Sequence, residues 1–165
     1  MRVVFLDFDG VLNDGFGGGL PLLVDRLNRV TQQTGAVIVV HSSWRWGRSV
    51  EKLREILRSW GVTGSVCDKC PVPIDYKRTA DGLWVGNEDW ASFQRGIVST
   101  DERCIAIQRW LDEHPEVIKY VIFDDDHHLG HFVGTPEFIQ TQVREGLTDD
   151  HVIRAIRHLN NEDRL

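Results

Sequence analysis

The sequence predicts an α/β domain in which helices cover both faces of a parallel sheet, giving three layers. Three observations predict it. Apolar runs without alternation, Val3-Val4-Phe5-Leu6, Ala36-Val37-Ile38-Val39-Val40 and Tyr120-Val121-Ile122-Phe123, suit strands buried on both faces. Segments of helical period separate those runs, and strand, helix, strand order implies parallel pairing through right-handed crossovers. Each run then ends in polar residues, and the carboxyl ends of parallel strands share the edge at which such sheets bind ligands.

The first run delivers Asp7 and Asp9 to Gly10. Side chains alternate along an extended chain, so the two carboxylates share a side, and Gly10 permits a sharp turn away from the sheet. Asp-Gly is also a common turn pair, which is the plain alternative. Two neighbouring carboxylates repel unless a cation neutralises them, and hard oxygen ligands suit Mg2+. Residues 15–19, rich in glycine, read as a mobile loop beside this site. Pro21 suits a first helical turn, Leu23, Leu27 and Val30 recur at helical spacing, and Gly35 ends the segment.

The second run ends in His41-Ser42-Ser43-Trp44-Arg45, which joins a hydroxyl pair, an aromatic ring and a guanidinium. Arg45 could clamp a phosphate with its planar fork or cap a helix region, while the basic cluster Arg45, Arg48, Lys52, Arg54 and Arg58 reads as a solvated face. A helix over about 48–60 carries Val50, Leu53, Ile56, Leu57 and Trp60 on one face, and 62–66 suits a short strand. From 67 to 99 no period survives, and Pro71, Pro73, Gly82, Gly86 and Gly96 interrupt the chain. A stretch of that length predicts a small inserted flap. Its Tyr76, Lys77, Arg78, Trp84, Trp90, Phe93 and Arg95 could stack bases and hold phosphates, or Trp84 and Trp90 could form the flap's own core. Cys67 and Cys70 have zinc-knuckle spacing but lack a second pair, which His127, His128 or His131 would have to supply. Those histidines, beside Asp126, could alternatively hold a transition metal or line an exposed loop.

Asp101 suits the N-cap of a helix through Ile105, Ile107, Trp110 and Leu111, stopped by His114-Pro115. The third run ends in Asp124-Asp125-Asp126, residues 138–141 read as a weaker last strand, and Thr148 precedes a final helix carrying Val152, Ile153, Ile156 and Leu159.

A chain of 165 residues, 41% hydrophobic and 27% charged, supports a single domain over 1–165 with no large cap. Its net charge of -6 argues against broad binding to phosphate backbones, although a local basic groove stays compatible with it. No apolar run approaches membrane-spanning length and no signal-peptide pattern precedes the first strand, so a cytoplasmic location without membrane partners is the expectation. Three cysteines, an odd number, fit a reducing compartment. Nothing in the pattern specifies an oligomeric state.

The stretch Phe5-Leu6-Asp7-Phe8-Asp9-Gly10-Val11-Leu12 resembles the first motif of the HAD (haloacid dehalogenase-like) phosphatase superfamily. His41-Ser42-Ser43-Trp44-Arg45 resembles the second and Phe123-Asp124-Asp125-Asp126 the fourth. With Gly146-Leu147-Thr148 before the last helix, the set is similar to the HAD domain of Swiss Army Knife RNA repair proteins. The resemblance implies a Rossmann-like, HAD-like fold and a Mg2+-dependent phosphatase. Asp7 would be the nucleophile that forms an aspartyl phosphate, and Asp9 the acid and base, with its backbone carbonyl on the metal. Ser42 would hold the substrate phosphate with Ser43 and Arg45 beside it. Asp125 would complete the metal shell, with Asp124 as a further ligand or an orienting neighbour. Arg103 stands where the third motif needs a cation, with Arg95 and Lys77 as rivals. An open site of this kind admits a terminal phosphate on a nucleic acid or a nucleotide. A small-metabolite phosphatase and a non-catalytic RNA- or protein-binding module are the competing readings.

Overall fold

The computed structural model describes residues 1–15, 17–72, 77–78, 84–85 and 102–161. Among them the elements run β1 (Arg2–Leu6), α1 (Pro21–Thr34), β2 (Val37–Val40), α2 (Val50–Ser59), β3 (Val66–Lys69), β4 (Lys77–Arg78), β5 (Trp84–Val85), α3 (Glu102–Glu113), β6 (Lys119–Asp124), β7 (Phe138–Gln140) and α4 (Asp149–Leu159). Five strands form one parallel sheet in the order β3-β2-β1-β6-β7. The fold is thus the Rossmann-like α/β sandwich that the uninterrupted apolar runs predict.

The two faces of β1 explain the layers. Val4 and Leu6, with Ile38, Val40, Val121 and Phe123, pack beneath α1, α2 and α4 through Val24, Leu27, Leu53, Leu57, Val152 and Leu159. Val3 and Phe5, with Val39 and Ile122, face α3 through Ile107 and Trp110. Each such side chain, wholly removed from water, contributes about 1.5–3 kcal/mol, so the central strands are the most strongly anchored part of the chain. Helix ends follow local chemistry: Pro21 opens α1, Gly35 closes it at φ 65°, Ser49 caps α2, and Thr148 with His151 forms a capping box on α4.

The third strand lies at Val66–Lys69 rather than 62–66: its pairing with β2 starts at Val66 opposite Ile38 and, past an irregularity between Ile38 and Val39, runs on to Lys69. Cys70 is consequently buried in the core beneath α3, and among the described residues no metal-ligand cluster includes Cys67 or Cys70. The zinc-knuckle reading therefore has no structural counterpart there. Of the expected flap, residues 67–72 belong to β3 and its exit, and β4 pairs antiparallel with β5. Tyr76, Trp90, Phe93, Arg95 and the cap residue Asp101 lie outside the described residues. Among the described residues no helix is long and apolar enough to cross a membrane.

Candidate active site

Sheet register brings three strand ends level. Leu6 pairs with Val40 on one side and Phe123 on the other, so the next residues, Asp7, His41 and Asp124, stand side by side at one edge. Backbone bonds continue the ladder past the strands. Asp7 N–H donates to Phe123 O at 3.0 Å, His41 N–H to Leu6 O at 3.1 Å, and Thr141 N–H to Asp124 O at 2.9 Å.

Asp7 and Asp124 are buried, Asp125 is half-buried, and one carboxylate oxygen from each lies within 4.8 Å of the others. Arg103, from the first turn of α3, enters this group. Its Nη1 donates to Asp124 at 2.8 Å (Oδ1) and 2.7 Å (Oδ2) and to Asp7 Oδ2 at 3.2 Å. Burial pushes the Asp7 carboxyl up from its ordinary range, while Arg103 and the Ser42 hydroxyl beside it work the other way. Asp124 is pushed up to about 7, first by burial and then by the neighbouring Asp7 charge, against the opposing pull of Arg103. Burial and Asp7 also raise Asp125. Burial disfavours the charge on Arg103, but Asp7 and Asp124 outweigh it and hold the guanidinium protonated.

Among the described residues one guanidinium faces three carboxylates, which leaves the group short of positive charge. Asp7 Oδ1 is buried and has no hydrogen-bond partner among the described residues. An orphaned acceptor in a set of hard oxygen donors fits a divalent cation such as Mg2+. The loop after β1 is shaped for this approach. Gly10 has φ 70°, and a Cβ there would lie 2.6 Å from Asp125 Cγ, so only glycine lets Asp125 come this close. The Gly10 carbonyl accepts from the buried Thr141 hydroxyl at 2.7 Å.

Asp9 stands apart from the three clustered carboxylates. Its Oδ1 accepts from Asn13 Nδ2 at 3.0 Å and its Oδ2 from Trp44 Nε1 at 2.9 Å. Its side chain is thus engaged elsewhere, and the expected place on the metal is that of its backbone carbonyl. Asn13 also ties down Gly15 and Gly17, so the glycine-rich stretch expected to be mobile is tethered at its start.

Ser42 is buried and its hydroxyl caps the short 3-10 turn Ser43–Arg45, accepting from Trp44 N–H at 3.3 Å; Ser43 is exposed. Arg45 departs from the expected phosphate clamp. It is wholly buried, with Nη1 donating to the His41 and Ser42 carbonyls and Nη2 to Pro71 O, so it ties the end of β2 to the chain leaving β3. An arginine that satisfies carbonyls and one that faces solvent look alike in sequence. Arg54 likewise leaves the expected solvated face by donating to Val66 O at 2.7 Å.

His41, Trp44 and Asn13 are the site residues to which the sequence alone assigns no role. His41 Nε2 lies 3.2 Å from Phe123 O and its Nδ1 3.6 Å from Asp124 Oδ2. Burial, then Arg103 and Arg45, holds the ring well below the usual histidine range, so it is neutral. A carbonyl can only accept, which places the proton on Nε2. The available signal was position, one residue past a strand end. Arg95 and the side chain of Lys77, the rivals of Arg103, lie outside the described residues. Asp126, His127 and His128 also bring ligand atoms within 4.8 Å, but in an exposed loop where Asp126 bonds locally to His128.

No curated protein and no solved structure matches the chain. A family model described as the HAD domain in Swiss Army Knife RNA repair proteins matches residues 3–152, which takes in β1 from Val3 on, every strand end described above and the first turn of α4. The chain therefore belongs to the family of HAD domains found in Swiss Army Knife RNA repair proteins.

Proposed function

We propose that this domain is a Mg2+-dependent phosphomonoesterase that removes a terminal phosphate from a nucleic acid or nucleotide through an aspartyl phosphate on Asp7. The observation that carries the reading is the environment of Asp7. It is a buried carboxylate with one oxygen on Arg103 and the other without a hydrogen-bond partner among the described residues, at the edge where Asp124 and Asp125 gather.

In the first half-reaction the Asp7 carboxylate attacks phosphorus, the bond from phosphorus to the leaving oxygen breaks, and Asp9 donates a proton to that oxygen. In the second, Asp9 takes a proton from a water molecule that cleaves the acyl phosphate, releasing inorganic phosphate and restoring Asp7. Arg103, anchored by Asp124, stabilises negative charge on the phosphoryl group, and Ser42 with Ser43 beside it binds the remaining oxygens. Asp7, Asp124 and Asp125, with the Asp9 backbone carbonyl, would hold Mg2+, which when bound offsets carboxylate and phosphate charge and polarises the phosphoryl oxygen.

The test is phosphate release, with and without Mg2+, from a 3′-phosphorylated oligonucleotide, a 5′-phosphorylated oligonucleotide, mononucleotides and a sugar phosphate. Turnover of at least one nucleotide substrate is expected. Turnover of the sugar phosphate alone would reassign the substrate class, and silence on all four would remove the enzyme reading in favour of a binding module.

A further inference from the structure

Asp9 has the most demanding task in the proposed reaction, since it must present a proton and then a lone pair to the same centre. We infer that Trp44 and Asn13 are positioning residues that hold the Asp9 carboxylate in one orientation through both half-reactions. This inference rests on the phosphatase reading above.

Among the described residues each Asp9 oxygen receives one donor, Asn13 Nδ2 on Oδ1 at 3.0 Å and Trp44 Nε1 on Oδ2 at 2.9 Å. An indole N–H and an amide NH2 can only donate, so neither exchanges protons with Asp9. Each oxygen also keeps a second lone pair, on which a proton can sit or to which a water can donate. The clamp is therefore compatible with both the acid and the base form. A half-exposed carboxylate on a turn would otherwise rotate freely.

Both donors are themselves immobilised. The Trp44 ring packs against Phe8 at 5.6 Å and Trp60 at 5.4 Å between ring centres, with the Arg48 guanidinium 5.4 Å from its own centre. Its backbone N–H is held by Ser42, so the second motif orients the acid and base as well as the phosphate. Asn13 is wholly buried and uses its amide fully, donating also to Gly17 O and accepting from the Gly10 and Gly15 N–H groups. If Trp44 were only a core aromatic, its N–H would be incidental and its ring alone would matter.

Trp44→Phe separates the two cases, because it keeps an aromatic ring in the cluster and deletes the donor. The assay is kcat/KM, which reports the first half-reaction, on two esters. One is an alkyl monoester, the nucleotide phosphate that turns over in the screen above, whose alkoxide needs a proton to leave. The other is p-nitrophenyl phosphate, whose phenolate leaves without one. The variant is expected to lose about 10–100-fold on the alkyl ester and to change little on the aryl ester, which also serves as the control for folding. Equal losses on both esters, or no loss on either, would overturn the positioning role. A wild-type protein inert toward both would instead remove the phosphatase reading, and this inference with it.

Discussion

Nη1 of Arg103 lies 2.7 Å from one oxygen of Asp124 and 2.8 Å from the other, so a single nitrogen bridges the carboxylate. The residues come from the first turn of α3 and the last position of β6, and their pairing joins the helix to the sheet edge. The same nitrogen reaches Asp7, which makes Arg103 an internal cation of the site. Removing it leaves buried carboxylates without their partner. Arg103→Ala is expected to destabilise the metal-free protein by about 3 kcal/mol near neutral pH, read from urea unfolding, with part recovered on adding Mg2+. A variant as stable as the wild type would show that the pairing adds nothing.

The raised Asp124 carboxyl predicts a pH dependence with a definite sign. In the folded state it titrates at about 7, against an ordinary value of 3.8. Between these values the native protein holds a proton that the unfolded chain has released, so this group's contribution to stability falls as pH rises from about 4 to about 7. A bound divalent cation displaces that proton, so Mg2+ should raise the melting temperature more at about pH 8 than at about pH 5. Equal stabilisation at both would contradict a metal held by these carboxylates.

Asp7→Asn preserves shape while removing the nucleophile. Phosphate release should fall by about 10³-fold or more. Circular dichroism should be unchanged, and the melting temperature should hold or rise, because the variant no longer places two negative charges beside each other. Undiminished Mg2+-dependent release would sink the covalent mechanism.

Gly10→Ala tests the close approach of Asp125. The methyl group would meet Asp125 at 2.6 Å on a backbone with φ 70°, and something must move. A loss of about 2 kcal/mol is expected, together with a smaller stabilisation by Mg2+ as Asp125 is displaced. Calorimetric titration of the variant with Mg2+ checks the second effect separately. Wild-type affinity there would mean that Asp125 is not a metal ligand.

Much of this molecule was legible in its sequence. Uninterrupted apolar runs at residues 3–6, 36–40 and 120–123 determined a buried parallel sheet, because only strands covered on both faces lack a polar side. The aspartates and serines that follow those runs then had to lie along one edge. That Asp7, Asp124, Asp125 and Ser42 share one edge follows from strand direction alone, while the order β3-β2-β1-β6-β7 that makes them neighbours belongs to the tertiary structure.

Only the tertiary structure decided how the polar groups pair, because hydrogen-bond geometry depends on approach directions that a linear pattern does not carry. Arg45 lies just past the end of β2 and Arg103 in the first turn of α3. One is consumed by the carbonyls of His41 and Ser42, while the other crosses from a distant helix to Asp7 and Asp124. The division between the clustered carboxylates and the separately clamped Asp9, and the neutral His41 beneath Asp124, arise in the same way. Burial and contact across the fold set them, through residues far apart in the chain.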